Sequence, residues 1–204
     1  GEGVSVNLGI DVVAQSISVG EGSDTLVGIE NVLGSAFADT FKGNNIVANI
    51  FNGGITNLSN PTSERTNDEN DTVSYEDVTT KVVVALDANA NYGLVTIGAN
   101  VAIDTLYNIE HVTGSSGDDT FSGNSDSNIF LGGDGNDTFY VKGASISGEA
   151  DTINGGANTT TGDTVDFSLV TDTDLFVDVD LGSSDLLLKD SSNSNGVVRD
   201  DTVL

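Results

Sequence analysis

Apolar residues along this chain come in short alternating bursts, not at helical spacing. Val4-Ser5-Val6-Asn7-Leu8, Val82-Val83-Val84-Ala85-Leu86 and Val177-Asp178-Val179-Asp180-Leu181 each keep Val or Leu at every second position. That is the period of a half-buried strand. Gly, Asn, Asp and Ser separate the bursts, which is turn chemistry. A second motif is Asp, then Thr, then a large apolar residue. It occurs nine times, ending at Leu26, Phe41, Val73, Leu106, Phe121, Phe139, Ile153, Val165 and Val203. No helical periodicity is sustained, and Asp, Asn, Gly and Thr disfavour helix interiors. The pattern predicts an all-β chain of many short strands joined by tight turns.

The pattern also repeats. Ser23 to Gly54 aligns with Ile103 to Gly133 at an offset of 80, which becomes 79 at Asn49-Ile50-Phe51 against Asn128-Ile129-Phe130. Each of the three alternating bursts is followed, 16 to 20 residues on, by an Asp-Thr-apolar triplet at Asp24, Asp104 and Asp201. This predicts a first long repeat over residues 1–79 and a second over 80–171. The start of a third, over 172–204, is truncated at Leu204. The first carries a polar insertion, 55–69, with the only proline, Pro61.

Inside each long repeat runs a shorter period. Gly114, Gly123 and Gly132 stand nine residues apart and open the blocks GSSGDDTFS, GNSDSNIFL and GGDGNDTFY, which span 114–140. Each block reads as a glycine-rich turn followed by a short strand with its apolar residue on one side. Two blocks predict one coil of a flattened solenoid, with coils stacked at about the 4.8 Å strand spacing. Phe121, Phe130 and Phe139 then face inward as a ladder, completed only by neighbouring coils. Stacking also places Asp119 against Asp137. Adjacent carboxylates repel, and glycine-rich turns present carbonyls to the gap. A hard dication with roughly six to eight oxygen ligands resolves both problems, and calcium tolerates irregular geometry better than magnesium.

GGDGNDTFY, Gly132 to Tyr140, resembles the calcium-binding nonapeptide G-G-x-G-x-D-x-U-x of the RTX (repeats-in-toxin) family. The stretch IEHVTGSSGDDTFSGN, Ile109 to Asn124, is similar to the segment that often precedes such repeats in large secreted bacterial proteins. The resemblance covers roughly residues 20–170. It implies a right-handed parallel β-roll, calcium between turns, and export by a type I system. Its bearers include adhesins, surface-layer proteins, proteases, lipases and toxins. The chain departs from the pattern at Ser115, Asn124, Asp126 and Asn128, breaks phase around Val141 to Ser145, and expands a turn at Asn158 to Thr161. A degenerate β-solenoid with irregular loops and a few calcium ions is therefore expected.

The first candidate site lies between turns 114–119 and 132–137. Asp119 and Asp137 offer carboxylates there, and Gly114, Gly117, Gly132, Gly133 and Gly135 offer carbonyls. A second joins Asp137 to Asp163 with Gly155 and Gly156. On the opposite edge Asn128 and Asp151 form a third, and Asp39, Asn49 and Asp71 are the equivalents in the first repeat. Against these stands the plainer reading that an Asp in such a turn only caps backbone N–H groups. Asp24, Asp104, Glu30 and Glu110 fit that reading. His111 aligns with Asn31, as an outward strand residue does. Tyr75, Tyr92, Tyr107 and Tyr140 read as sheet-surface residues able to touch a carbohydrate.

Charge narrows the partners. Six basic residues against 32 acidic ones give a net charge of −26, which argues against nucleic acid or anionic lipid. The absence of Cys excludes disulfides and thiol chemistry, and a single His excludes multi-histidine metal sites. No apolar run approaches a membrane span. The opening Gly1-Glu2-Gly3 and the cut third repeat lead us to expect a piece of a longer protein. It would be extracellular or on the cell surface, weakly folded without calcium and rigid with it. The expected role is a calcium-binding structural module of an adhesin, surface layer or filament. Further copies of the chain or neighbouring repeats are candidate partners. The alternative is a carbohydrate-binding accessory roll of a secreted polysaccharide-modifying enzyme, with an extracellular glycan as partner. Catalysis is not expected: no Gly-x-Ser-x-Gly elbow occurs.

Overall fold

The computed structural model describes residues 3–9, 14–15, 24–54, 70–89, 92–99, 102–124, 126–141, 151–157, 162–166, 168–169, 175–179, 185–190 and 197–203. For 14–15, 88–89 and all residues from 175 onward it describes the backbone alone. The insertion 55–69 and the phase breaks at 142–150 and 158–161 lie outside the described residues.

The described residues form nineteen strands and no helix. In chain order these begin with β1 (Ser5–Asn7), β2 (Ala14–Gln15), β3 (Asp24–Thr25), β4 (Asn31–Leu33), β5 (Thr40–Lys42), β6 (Ile50–Asn52) and β7 (Thr72–Ser74). Three longer strands follow: β8 (Val82–Asn89), β9 (Tyr92–Ile97) and β10 (Ala102–Tyr107). Next come β11 (His111–Thr113), β12 (Thr120–Ser122), β13 (Ile129–Asp134), β14 (Thr138–Tyr140), β15 (Thr152–Ala157) and β16 (Thr164–Asp166). The last are β17 (Leu175–Val179), β18 (Asp185–Asp190) and β19 (Val197–Val203).

All but β2 and β3 belong to two sheets. One has nine strands in the order β1-β5-β7-β11-β13-β15-β19-β18-β17, the other eight in the order β16-β14-β12-β8-β9-β10-β6-β4. From β4 to β8, and again from β10 to β16, the chain changes sheet at every strand. Neighbours built this way are parallel: Phe41 pairs with Val73, Val112 with Phe130, Phe130 with Ile153, and Phe121 with Phe139. Parallel neighbours need a return path, and here a strand of the other sheet supplies it.

The three-residue strands explain the triplet. Side chains alternate, so Thr faces out, the apolar residue faces in, and the next residue faces out. Phe41, Phe51, Phe121, Phe130, Phe139, Val73, Val112 and Ile153 are all buried in one cluster that runs from Val6 to Ile153. Phe121 stacks on Phe139 with ring centroids 4.9 Å apart and meets Phe130 at 5.4 Å. Phe41 stacks on Phe51 at 5.6 Å. The ladder of phenylalanines expected from the nine-residue period is present. Between its two phenylalanine stretches the same buried cluster continues through Val73, Val82, Val84 and Val112.

Two stretches of these sheets differ from a uniformly parallel arrangement, and one of them is β17, β18 and β19, which pair antiparallel at the end of the nine-stranded sheet. The other is β8, β9 and β10, consecutive in the eight-stranded sheet and antiparallel, with Val84 opposite Val95 and Thr105 opposite Leu94. Alternation there lasts long enough for true hairpins, and Gly98 (φ 59°) supplies a left-handed turn residue. The chain therefore changes sheet four times between β4 and β8 and once more between β10 and β11, an odd total. Strands β4 and β5 and their equivalents β11 and β12 lie in opposite sheets. The equivalent turns 34–39 and 114–119 consequently lie on opposite edges. Near the end of the chain, β19 runs parallel to β15 with Thr202 beside Thr152 and Val203 beside Ile153.

Candidate metal centre

Each edge of the sheet pair carries a column of acidic or amide side chains, set just before the strands. The residue leading into a strand has a backbone N–H that points toward the neighbouring strand. The side chain in register on the neighbouring strand accepts it. On the edge leading into the eight-stranded sheet, Val82 N–H donates to Asp119 Oδ1 (2.7 Å), Asp119 N–H to Asp137 Oδ1 (2.7 Å), and Asp137 N–H to Asp163 Oδ1 (2.9 Å). Asn49 N–H donates to Asp104 Oδ1 at 2.7 Å on the same edge. On the edge leading into the nine-stranded sheet, Val4 N–H donates to Asp39 Oδ1 (2.6 Å), Asp39 N–H to Asp71 Oδ1 (2.7 Å), Asp71 N–H to Glu110 Oε2 (3.2 Å), and Asn128 N–H to Asp151 Oδ1 (2.9 Å). Asp suits this task because its short side chain reaches one strand spacing, and Glu110 does the same over a longer bond.

The structure thus brings Asp119, Asp137 and Asp163 together in one column, Asp39 with Asp71 in the other, and Asn128 with Asp151. It separates Asn49 from Asp39 and Asp71, on the opposite edge. Asp104 and Glu110, read from sequence as caps, are full members of the columns, and both are buried.

The glycines hold the turns close. A Cβ on Gly114 would collide with Gly132 O and Asp119 Oδ2; one on Gly132 with Gly155 O and Asp137 Oδ2; one on Gly155 with Asp163 Oδ2. One on Gly117 would run into the backbone of Thr80 and Lys81. Gly133 (φ 109°), Gly135 (φ 128°) and Gly156 (φ 90°) adopt backbone that other residues rarely take. Beside Gly114 and Gly132, a carboxylate oxygen and a carbonyl from the neighbouring turn face one small space.

The carboxylates differ in how well they are satisfied. Asp119 accepts Ser115 N–H on Oδ2 (2.6 Å) and the Ser115 hydroxyl on Oδ1 (2.8 Å), besides Val82 N–H. Burial raises its pKa, and these donors pull it back down. Asp137 Oδ2 is buried with no hydrogen-bond partner. Burial raises the Asp137 pKa to about 6; Asp119 N–H opposes this, and the charges of Asp119, Asp163 and Asp118 add to it. Asp104 is also pushed up to about 6 by burial, although Asn49 N–H and the Tyr75 hydroxyl (2.8 Å) both donate to it. The orphaned oxygen of Asp137, in a space a methyl group would fill and amid like charges, fits a hard cation. Asp137 Oδ2 and the Gly155 carbonyl are the groups that would meet it. Among the described residues no three His, Asp or Glu side chains gather as a metal cluster. A cation there would take its remaining ligands from carbonyls or water, as calcium readily does.

Two residues, Tyr75 and Ser115, read differently from their sequence expectation. Tyr75 is wholly buried beneath Asp104, not on the sheet surface. Tyr92 and Tyr107 face each other at 5.7 Å. Ser115, which breaks the glycine pattern, caps its own turn, as Ser35 does on the other edge. The G-S-x-x-x-D-T-F string shared by Gly34–Phe41 and Gly114–Phe121 is the signal that marks both.

A comparison with curated proteins finds no match. A family comparison does: residues 108–141, which hold the turns of Ser115, Asn124 and Gly133, match the model of the RTX calcium-binding nonapeptide repeat (4 copies).

Proposed function

We propose that the chain is a calcium-rigidified structural module of a secreted or cell-surface bacterial protein, wound as a right-handed β-roll. The observation that carries this reading is the buried, unpartnered Asp137 Oδ2 in a column of like charges. A group so placed costs stability until a cation meets it. The alternation between two largely parallel sheets and the match to calcium-binding repeats support the same reading. When bound, calcium neutralises carboxylate charge between coils. The chain's own part is to hold the oxygens in register through the N–H ladder and to exclude side chains from the gap by glycine.

Rigidity is the use of such an arrangement. A site of about 0.1 mM affinity stabilises the folded form by about 2.7 kcal/mol at about 10 mM calcium. A metal-poor cytoplasm then leaves the chain weakly folded for export, by a type I route in this reading. The exterior folds it, as part of an adhesin, surface layer or filament.

The test is a calcium titration of chelator-treated chain, followed by far-UV circular dichroism and isothermal calorimetry, with magnesium as control. A cooperative gain of β signal between sub-millimolar and millimolar calcium, absent with magnesium, is the expected result. A full β spectrum in chelator with no heat of calcium binding would overturn the proposal.

A further inference from the structure

Two adjacent turns of one column differ in a way that the calcium reading does not explain. At 114–119 the second residue is Ser115; at 132–137 it is Gly133. Ser115 donates its hydroxyl to Asp119 Oδ1 and its N–H to Asp119 Oδ2, and its Oγ accepts Gly117 N–H at 3.0 Å. The turn is closed from within. Gly133 has no side chain, and in its turn Asp137 Oδ2 has no partner. The other edge repeats the closed form in detail. Ser35 donates N–H to Asp39 Oδ2 at 2.5 Å and its hydroxyl to Asp39 Oδ1 at 2.9 Å, and its Oγ accepts Phe37 N–H at 3.1 Å.

Position in the column explains why serine fits at these two turns. The carbonyl of Ser115 points at the α-carbon of Gly133, and that of Gly133 at Gly156; a Cβ on either glycine would strike it. The carbonyl of Ser35 points at Gly54 in the same way. Only the first turn of such a run has room for a side chain there. Ser115 also avoids the positive φ that Gly133 and Gly156 adopt.

We propose that Ser35 and Ser115 are built-in substitutes for a cation. They close the leading turn of each glycine run without metal and confine calcium demand to the Gly-Gly turns behind them. The inference rests on the calcium reading above. It adds that the residue after the first turn glycine decides whether a turn needs the ion. The Ser-capped turns then remain ordered in calcium-free medium and template the turns that wait for it.

The test compares the wild-type chain with Ser115→Gly and Ser115→Ala by thermal denaturation in chelator and in about 10 mM calcium, and by calorimetric ion counting. Ser115→Gly is expected to melt about 5 °C lower than wild type in chelator. It should regain most of that loss in calcium and bind one more ion per chain. Ser115→Ala keeps a Cβ and an ordinary backbone preference while losing the hydroxyl. It should show the same calcium rescue, which separates the lost hydrogen bond from glycine flexibility. Equal destabilisation with and without calcium, and an unchanged ion count in both variants, would overturn the inference while leaving calcium binding by the wild type intact. A wild-type chain that binds no calcium would overturn the parent reading instead, and this one with it.

Discussion

Replacing Asp137 by Asn reverses its effect with calcium, and the two signs can be worked from the structure. Asn keeps Oδ1, so it still accepts Asp119 N–H, seen at 2.7 Å. It removes the charge whose second oxygen is buried without a partner. The folded-state pKa of about 6 against an ordinary 3.8 means that ionised Asp137 opposes folding at neutral pH. A shift of about two units corresponds to about 3 kcal/mol. Part of it comes from Asp163 and Asp118, which lie nearer solvent and are screened, so about 1.5 kcal/mol is the working figure. In chelator at pH 7.5, Asp137→Asn should therefore be more stable than wild type by ~1.5 kcal/mol, which for a chain of this size is about 3–6 °C in Tm. In about 10 mM calcium the wild type gains about 2.7 kcal/mol from a site of about 0.1 mM affinity, and the variant loses that gain. The order of stabilities should invert by ~1 kcal/mol. Urea denaturation followed by circular dichroism, run in both media, reads the two differences directly. A variant that is destabilised in chelator would show that the Asp137 carboxylate is already satisfied, and the reasoning from its orphaned oxygen would fail.

Other consequences follow from the same geometry. Asp137 and Asp104 both have folded pKa values raised to about 6, so the folded chain binds more protons than the unfolded one between about pH 4 and 6. In chelator, stability should rise as pH falls from 7 toward 4 and be lost as pH climbs through 6; a monotonic fall on acidification in a urea-melt series would contradict this. Tyr75→Phe removes the hydroxyl donated to Asp104 Oδ2 and should cost about 2 kcal/mol. The loss should be equal with and without calcium, because no cation is invoked at that carboxylate; calcium rescue in the thermal melt would count against it. Phe121→Ala empties the space between Phe130 and Phe139 and should cost about 3–5 kcal/mol, read as a lowered denaturant midpoint in either medium.

Strand content, the inward phenylalanines and the acidic columns were legible in the sequence because each follows from a short local period. Nine residues give one turn and one strand, and two blocks return the chain to the same edge, so Asp119 and Asp137, 18 residues apart, had to meet; Asp163, 26 residues after Asp137, joins them by way of its own Asp-Thr-apolar triplet. What the period could not supply was anything dependent on the number of strands between two points. The hairpin formed by β8, β9 and β10 occupies consecutive places in one sheet, and that alone decides on which edge the equivalent turns of the two long repeats emerge. Asn49, named with Asp39 and Asp71 as an equivalent in the first repeat, stands on the opposite edge for a simpler reason: it precedes β6, which alternates into the eight-stranded sheet between β5 and β7.

The meaning of individual acidic residues was the least legible part, because Asp performs two tasks with one side chain. One oxygen brackets the N–H of the neighbouring strand's lead-in residue at Asp39, Asp71, Asp104, Asp119, Asp137, Asp151 and Asp163, and this backbone task accounts for seven of the nine Asp-Thr-apolar triplets with no metal at all. The second oxygen is what separates a bracket from a ligand, and its fate is set by a residue four positions earlier. Serine there, held by its hydroxyl on Oδ1, aims its N–H at Oδ2; glycine at φ 109° leaves Oδ2 without a partner. Seen this way, Ser115 is no lapse from the glycine pattern. Its hydrogen bonds to Asp119, set beside the bare Oδ2 of Asp137 one coil away, are the comparison that gives the calcium reading its place on the chain.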